Sequence, residues 1–258
     1  MGKIITFGIQ KGGSGKTTTA GIVAYILYKQ GHKVLAVDMD SQGNLTEMLT
    51  QKDIYEFHGE TVLEALIEGD AKKYIHHIND TLHMLTAEDH LATFPRWLYT
   101  DYKGKSRSKV LDGILEGVKS KYDYIIIDTP PALSDQTVNA LAASDAVVAL
   151  FETSRFCYSA LERFVETVEH AKNMINPRLQ FAGILCTIID IRRSDTKALL
   201  ELVEETYEDK VFSTTISRRA PVGRLSIYGF FDNPELKQAL GQYEAFTKEL
   251  LERVKCEG

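Results

Sequence analysis

Five short runs that are almost wholly apolar, at 4–9, 34–37, 124–127, 146–151 and 181–189, constrain this chain more than any other feature. A strand with one face in water alternates apolar and polar residues, so a strand that is apolar throughout must be covered on both faces. Helical patterns at 16–30, 108–120, 159–174 and 195–207 lie between or after these runs and supply the cover. Connections of that length imply right-handed crossovers between parallel strands. The expected fold class is therefore α/β, a mostly parallel twisted sheet with helices on both faces, as one domain over residues 1–258. Weaker strand candidates lie at 82–86 and 211–216, and segment 50–110 is expected to hold extra helices.

Composition narrows the function classes. Hydrophobic residues at 44% and charged residues at 26% suit a folded globular chain and leave little room for disorder. No run approaches the roughly 18 apolar residues of a membrane span, so a cytoplasmic protein is expected. A last helical pattern at 234–254 carries Leu236, Leu240, Tyr243, Phe246, Leu250, Leu251 and Val254 on one stripe. Its other face mixes acids and bases, where an anionic membrane favours bases alone, so packing on the sheet is expected and membrane binding is not. Cys157, Cys186 and Cys256 are scattered and form neither a disulfide framework nor a metal-binding pair. A net charge of −6 excludes a surface coated throughout for nucleic acid, although a local basic patch remains compatible with it.

The chemistry is concentrated just after the first apolar run, where Gln10-Lys11-Gly12-Gly13-Ser14-Gly15-Lys16-Thr17-Thr18 leads into a helical pattern. Strand, glycine-rich loop and helix is the context of a phosphate-binding P-loop. Glycines let successive N–H groups turn toward a phosphate, and the helix adds free N–H groups and the positive end of its dipole. Lys16 is then placed to reach the β- and γ-phosphates, and the Thr17 hydroxyl to ligate Mg²⁺. A dinucleotide fingerprint requires glycine where Thr18 stands, and the commonest P-loop form requires glycine where Gln10 stands. The loop is thus a variant P-loop. Asp128, closing an apolar strand, would be costly to bury without a cation or hydrogen bonds to compensate it. Asp38 and Asp40, two residues apart at another strand end, are further acidic candidates.

This loop, with its extra lysine at the second position, resembles the deviant Walker A box of the ParA/MinD family of P-loop ATPases. Residues 34–46, which contain Asp38-Met39-Asp40-Ser41-Gln42-Gly43-Asn44, resemble the family's second box, and 122–131, ending Asp128-Thr129-Pro130-Pro131, its Walker B strand and switch. The likeness runs over nearly the whole chain and is strongest to the short partition ATPases of the Soj type. It implies ATP and Mg²⁺ as cofactors, with residues 11–18 on the nucleotide, Asp40 orienting the attacking water and Asp38 supporting the metal held by Thr17 and Asp128. It implies that Lys11 crosses a homodimer interface to the partner's phosphates, so that ATP assembles a dimer and hydrolysis releases it. Segment 129–135 is the expected γ-phosphate sensor. Asp190 falls in a stretch that lies near adenine in the partition branch.

Arg192, Arg193, Lys197, Arg218, Arg219 and Arg224 gather basic charge in the C-terminal third of an acidic chain. Two such patches on a dimer would contact DNA phosphates additively and with steep salt dependence, whatever the sequence. Ser217 and Arg224 depart from the residues usual in partition proteins. With the loop so near Met1, an N-terminal operator-reading domain is not expected, and the resemblance implies a separate ParB-type centromere-binding partner. The expected function is an ATP-driven switch for plasmid or chromosome partition, nucleoid-associated in the cytoplasm. The alternative is a MinD-like positioning ATPase that cycles on a membrane.

Overall fold

The computed structural model describes residues 2–189, 194–231 and 233–255. Its strands are β1 (Lys3–Gly8), β2 (Val34–Asp38), β3 (Ile75–His77), β4 (Leu82–Leu85), β5 (Tyr124–Asp128), β6 (Ala146–Glu152) and β7 (Gln180–Thr187). They form one sheet in the order β3-β4-β2-β5-β1-β6-β7. Every pairing is parallel except β3 on β4, a short antiparallel edge within segment 50–110 that lacks a strong apolar run of its own.

The helices are α1 (Lys16–Lys29), α2 (Asn44–Thr50), α3 (Val62–Glu68), α4 (Phe94–Thr100), α5 (Val110–Glu116), α6 (Asp135–Ala143), α7 (Arg155–Met174), α8 (Ser194–Tyr207), α9 (Ala220–Gly223), α10 (Leu225–Tyr228), α11 (Pro234–Ala239) and α12 (Gly241–Lys255). Successive strand side chains point to opposite faces, and the buried residues divide accordingly. Ile5, Phe7, Ala36 and Ile126 join the layer under α1, α7 and α12. Ile4, Leu35, Val37, Ile125 and Ile127 join the layer under α3, α4 and α5. Both faces are dry, which is why these strands are apolar at every position.

Two expectations are corrected. The 211–216 run forms no strand; it touches β7 only at its two ends, through the bridge Ile184–Val211, with the Phe212 N–H on the Ile184 carbonyl, and through the Ile216 N–H on the Cys186 carbonyl. Side chains of α12 take backbone groups of Val211, Ser213 and Thr214. Arg253 donates to the carbonyls of Ala182, Asp209 and Val211, and the Glu249 carboxylate accepts from the N–H groups of Ser213 and Thr214. The final helical pattern is also two helices, interrupted at Leu240 ahead of Gly241, a poor helix former. Its stripe packs as expected: Leu236, Leu240, Tyr243, Phe246, Leu250 and Val254 are buried in the first core layer, each contributing about 1.5–3 kcal/mol. Among the described residues no helix is long and apolar enough to cross a membrane. Cys157 and Cys186 are buried free thiols, and burial pushes Cys186 up to about 12, which leaves it unreactive. Cys256 lies outside the described residues.

Candidate functional site

Strand order sets the site. β1 runs between β5 and β6, and β5 separates it from β2, so the carboxyl ends of β1, β2 and β5 adjoin. Asp38 and Asp128 stand opposite one another in register, and Phe7 is the next partner of Asp128. The loop leaving β1 turns through Gly13 (φ 76°) and Gly15 (φ 83°), left-handed conformations that glycine adopts without strain. Gly15 caps α1 with no side-chain bond, and no acid occupies the first turn of that helix. Its N–H groups and dipole are therefore open to an anion. The loop is fixed from beside: Thr187 donates its hydroxyl to the Ser14 carbonyl at 2.7 Å, and Ser14 donates to the Lys11 carbonyl at 3.3 Å. Ile188, next along, holds a φ of 56° that β-branched residues rarely adopt, and its side chain lies against Gly15.

Lys16 is 6% exposed and donates to the Lys11 carbonyl at 3.2 Å. Burial pulls its ammonium down from the usual lysine value, against the opposing pull of the Asp128 and Asp40 carboxylates. The Thr17 hydroxyl donates to Asp128 Oδ2 at 2.6 Å, while Asp128 Oδ1 is buried with no hydrogen-bond partner. A hydroxyl beside an orphaned carboxylate oxygen is a hard-oxygen donor set that suits Mg²⁺. Asp38 serves this pair from behind. Its Oδ1 accepts the Asp40 N–H at 3.1 Å, and its Oδ2 accepts both the N–H and the hydroxyl of Thr46 at 2.9 Å. Asp40 is buried and accepts the Gln42 N–H at 3.1 Å, which closes a tight turn. A cavity of about 270 Å³ opens between the loop, with Lys16, Thr17 and Thr18, and Asn44 and Glu47 of α2.

Burial pushes the Asp38 carboxyl up to about 7, and burial followed by the neighbouring Asp38 charge pushes Asp128 up to about 8. The site is short of positive charge, and a divalent cation would supply it. Between about pH 4 and pH 8 the folded chain therefore holds protons that the unfolded chain has lost. This stabilisation is complete below the ordinary carboxylate value and disappears as pH rises through the folded values. We expect the Mg²⁺- and nucleotide-free protein to lose stability from this pair as pH rises from 5 to 8.5. Melting temperatures across that range should fall, and Mg²⁺ with nucleotide should flatten the fall. A flat or rising curve without Mg²⁺ would refute the assignment.

The remaining site candidates separate. Gly12 and Gly13 are exposed at the loop tip. Lys11 turns back onto its own chain, donating to the Glu152 carboxylate and, at 2.7 Å, to Ser154 Oγ. Arg218 and Arg219 line a cavity of about 130 Å³ together with Gly15, Thr18, Ile188 and Tyr243. Lys197 pairs with Glu201 at 3.5 Å, and Arg224 pairs with Glu235 at 2.5 Å and lies over the Tyr228 ring. Asp190, Arg192 and Arg193 lie outside the described residues. Sequence reasoning missed Glu152, Ser154 and Thr187, whose pairing with loop residues across long chain separations leaves no local signal. A cavity of about 950 Å³ between α1 and residues 230–248 is away from this chemistry.

A family model described as AAA domain matches residues 2–181. The chain is 33% identical over 237 residues to the sporulation initiation inhibitor protein Soj of Bacillus subtilis (strain 168), covering 89% of each. It belongs to the Soj/ParA family of partitioning P-loop ATPases. This ParA-type chain is also 32% identical over 263 residues to the chromosome-partitioning ATPase Soj of Treponema pallidum (strain Nichols), covering 98% of each. Among solved structures it resembles the cobyrinic acid a,c-diamide synthase of Mycobacterium smegmatis with bound ADP and magnesium. There the TM-score is 0.84 at 27% identity, over 100% of this chain and 97% of that one.

Proposed function

We propose that this ParA-type ATPase is an ATP-dependent dimerising switch that binds DNA without regard to sequence and is reset by hydrolysis, prompted by a ParB-type partner. ATP is its substrate. Lys16 and the N–H groups of residues 12–18 bind and orient the phosphates. Thr17 Oγ1 and Asp128 hold Mg²⁺, with Asp38 supporting them; when bound, the ion neutralises charge on the phosphate oxygens. Asp40 orients the water whose oxygen attacks the γ-phosphorus as the bond to the β-phosphate breaks, yielding ADP and phosphate. Lys11 leaves Glu152 and Ser154 to reach the partner's nucleotide, where its charge stabilises the transferring group.

The observation that carries the DNA reading is the placement of Arg218 and Arg219 on a cavity shared with Gly15 and Thr18. Basic groups so close to the nucleotide loop are positioned to respond to what the loop holds. Lys197 and Arg224, already in ion pairs, make weaker candidates for DNA contact than these two. The membrane-cycling alternative finds no support in α11 and α12, whose apolar stripe is buried. Binding to non-specific duplex DNA and to anionic vesicles, each with ATP, with ADP and without nucleotide, tests the reading. We expect DNA binding only with ATP, with log affinity falling against log salt at about −0.9 per phosphate neutralised. Vesicle binding in place of DNA binding would overturn it.

A further inference from the structure

Away from the phosphate loop, two turns that follow different elements bring His58, Glu88 and His90 together. His58 ends the short 3-10 turn Ile54–Phe57 that follows α2, and Glu88 caps the 3-10 turn Asp89–Thr93 that follows β4. One ligand atom from each of the three side chains lies within 4.8 Å of the others. Glu88 Oε2 accepts the His90 N–H at 3.1 Å and faces His90 Nδ1 at 3.0 Å; Glu88 Oε1 is 3.6 Å from His58 Nδ1. The two rings are tilted by 54° to one another, with centroids 4.8 Å apart.

Glu88 is the unusual member. Its side chain is 0% exposed, whereas the side chains of His58 and His90 are 62% and 58% exposed. Capping a turn uses one carboxylate oxygen, and Oε2 does that work. Oε1 is buried without a hydrogen-bond partner, 3.6 Å from the His58 imidazole. An orphaned carboxylate oxygen costs free energy unless something compensates it. Ligands set tetrahedrally about 2.1 Å from an ion lie about 3.4 Å apart, close to the 3.0 and 3.6 Å spacings between Glu88 and the two imidazoles.

We propose that His58, Glu88 and His90 bind a divalent transition-metal ion of the zinc class. Two imidazole nitrogens and one carboxylate suit Zn²⁺ and its borderline neighbours, whereas Mg²⁺ and Ca²⁺ prefer sites built of oxygen alone. Three protein ligands leave the fourth position to water. The ion ties the 54–57 turn to the segment after β4, a join that Gly43 also occupies: a Cβ there would meet Ile54 at 2.5 Å and the Ala87 carbonyl at 2.9 Å. Ala87, beside Glu88, donates its N–H to Thr46 Oγ1, the hydroxyl that reaches Asp38. The bound ion therefore stands one residue from the network behind the phosphate site, without belonging to it.

The full chain, free of any affinity tag and stripped with a chelator, is titrated with Zn²⁺ by calorimetry in nucleotide-free buffer with excess Mg²⁺. The Mg²⁺ occupies oxygen sites such as Asp128 and leaves the imidazole site to zinc. We expect one Zn²⁺ per chain with a micromolar or tighter dissociation constant, and Co²⁺ in its place should show visible absorption from nitrogen and oxygen ligands. His58→Asn changes an exposed side chain and keeps the Glu88 to His90 contact, so it should fold and still lose at least tenfold in affinity; His90→Gln should do the same. Zinc uptake that is unchanged in both variants, or that falls short of one equivalent at about 100 μM, would overturn the proposal.

Discussion

Lys16→Ala is expected to abolish nucleotide binding and to lower ATP hydrolysis by ~10³-fold or more, the scale for removing a charged group aimed at developing phosphate charge. Lys16 is nearly buried, and its neighbours are acids, so without it phosphate oxygens entering the site would meet Asp128 and Asp40 uncompensated. The loop itself should survive the change. Its turn is held by Thr187 on the Ser14 carbonyl and Ser14 on the Lys11 carbonyl, and Lys16 contributes to it only a 3.2 Å bond to the Lys11 carbonyl. Fluorescent-nucleotide binding and phosphate release measure the effect, with circular dichroism as the check on folding. A well-folded variant that binds ATP within tenfold of the parent would show that the loop does not hold the phosphates as described.

Asp40→Ala is expected to give the opposite separation: ATP still binds and hydrolysis falls by ~10²–10⁴-fold, the usual worth of a group that positions or activates water. Asp40 makes no contact with Thr17 among its hydrogen bonds; it accepts from Gln42 and donates its backbone N–H to Asp38. Losing its side chain therefore leaves the Thr17–Asp128 pair and Asp38 with Thr46 in place. If ATP assembles the dimer, this variant should run as a stable dimer in sizing experiments with ATP and as a monomer without it. A variant that hydrolyses ATP normally would remove Asp40 from the reaction, and one that stays monomeric with ATP would refute the sandwich between subunits.

The phosphate loop was legible because its chemistry is local. Backbone N–H groups and a lysine for a phosphate, and a hydroxyl for its cation, lie consecutively in the chain here, so the spacing from Gly12 to Thr17 points to the site without tertiary information. The central strands were legible for a related reason, since burial on both faces demands apolar residues at every position. Helix ends and edges were harder. The 211–216 run has strand-like residues, yet Glu249 and Arg253 claim backbone groups of Val211, Ser213 and Thr214 from a helix more than thirty residues further on. The 234–254 stripe has one period throughout, and only a glycine at 241 marks where two helices meet.

By itself, then, the sequence determined the class of fold, the variant P-loop and the three acids attending it, because each depends on residues close together in the chain or on a period along it. Only the tertiary structure separates the acids by their partners: Asp128 keeps an unpaired oxygen beside Thr17, whereas both oxygens of Asp38 are taken by the chain. It also decided that Lys11 rests on Glu152 and Ser154, that Arg218 and Arg219 sit beside the nucleotide loop, and that His58, Glu88 and His90 converge. These pairings join residues from separate strands and turns. Their distances are set by strand order and register, and no spacing along the chain encodes either.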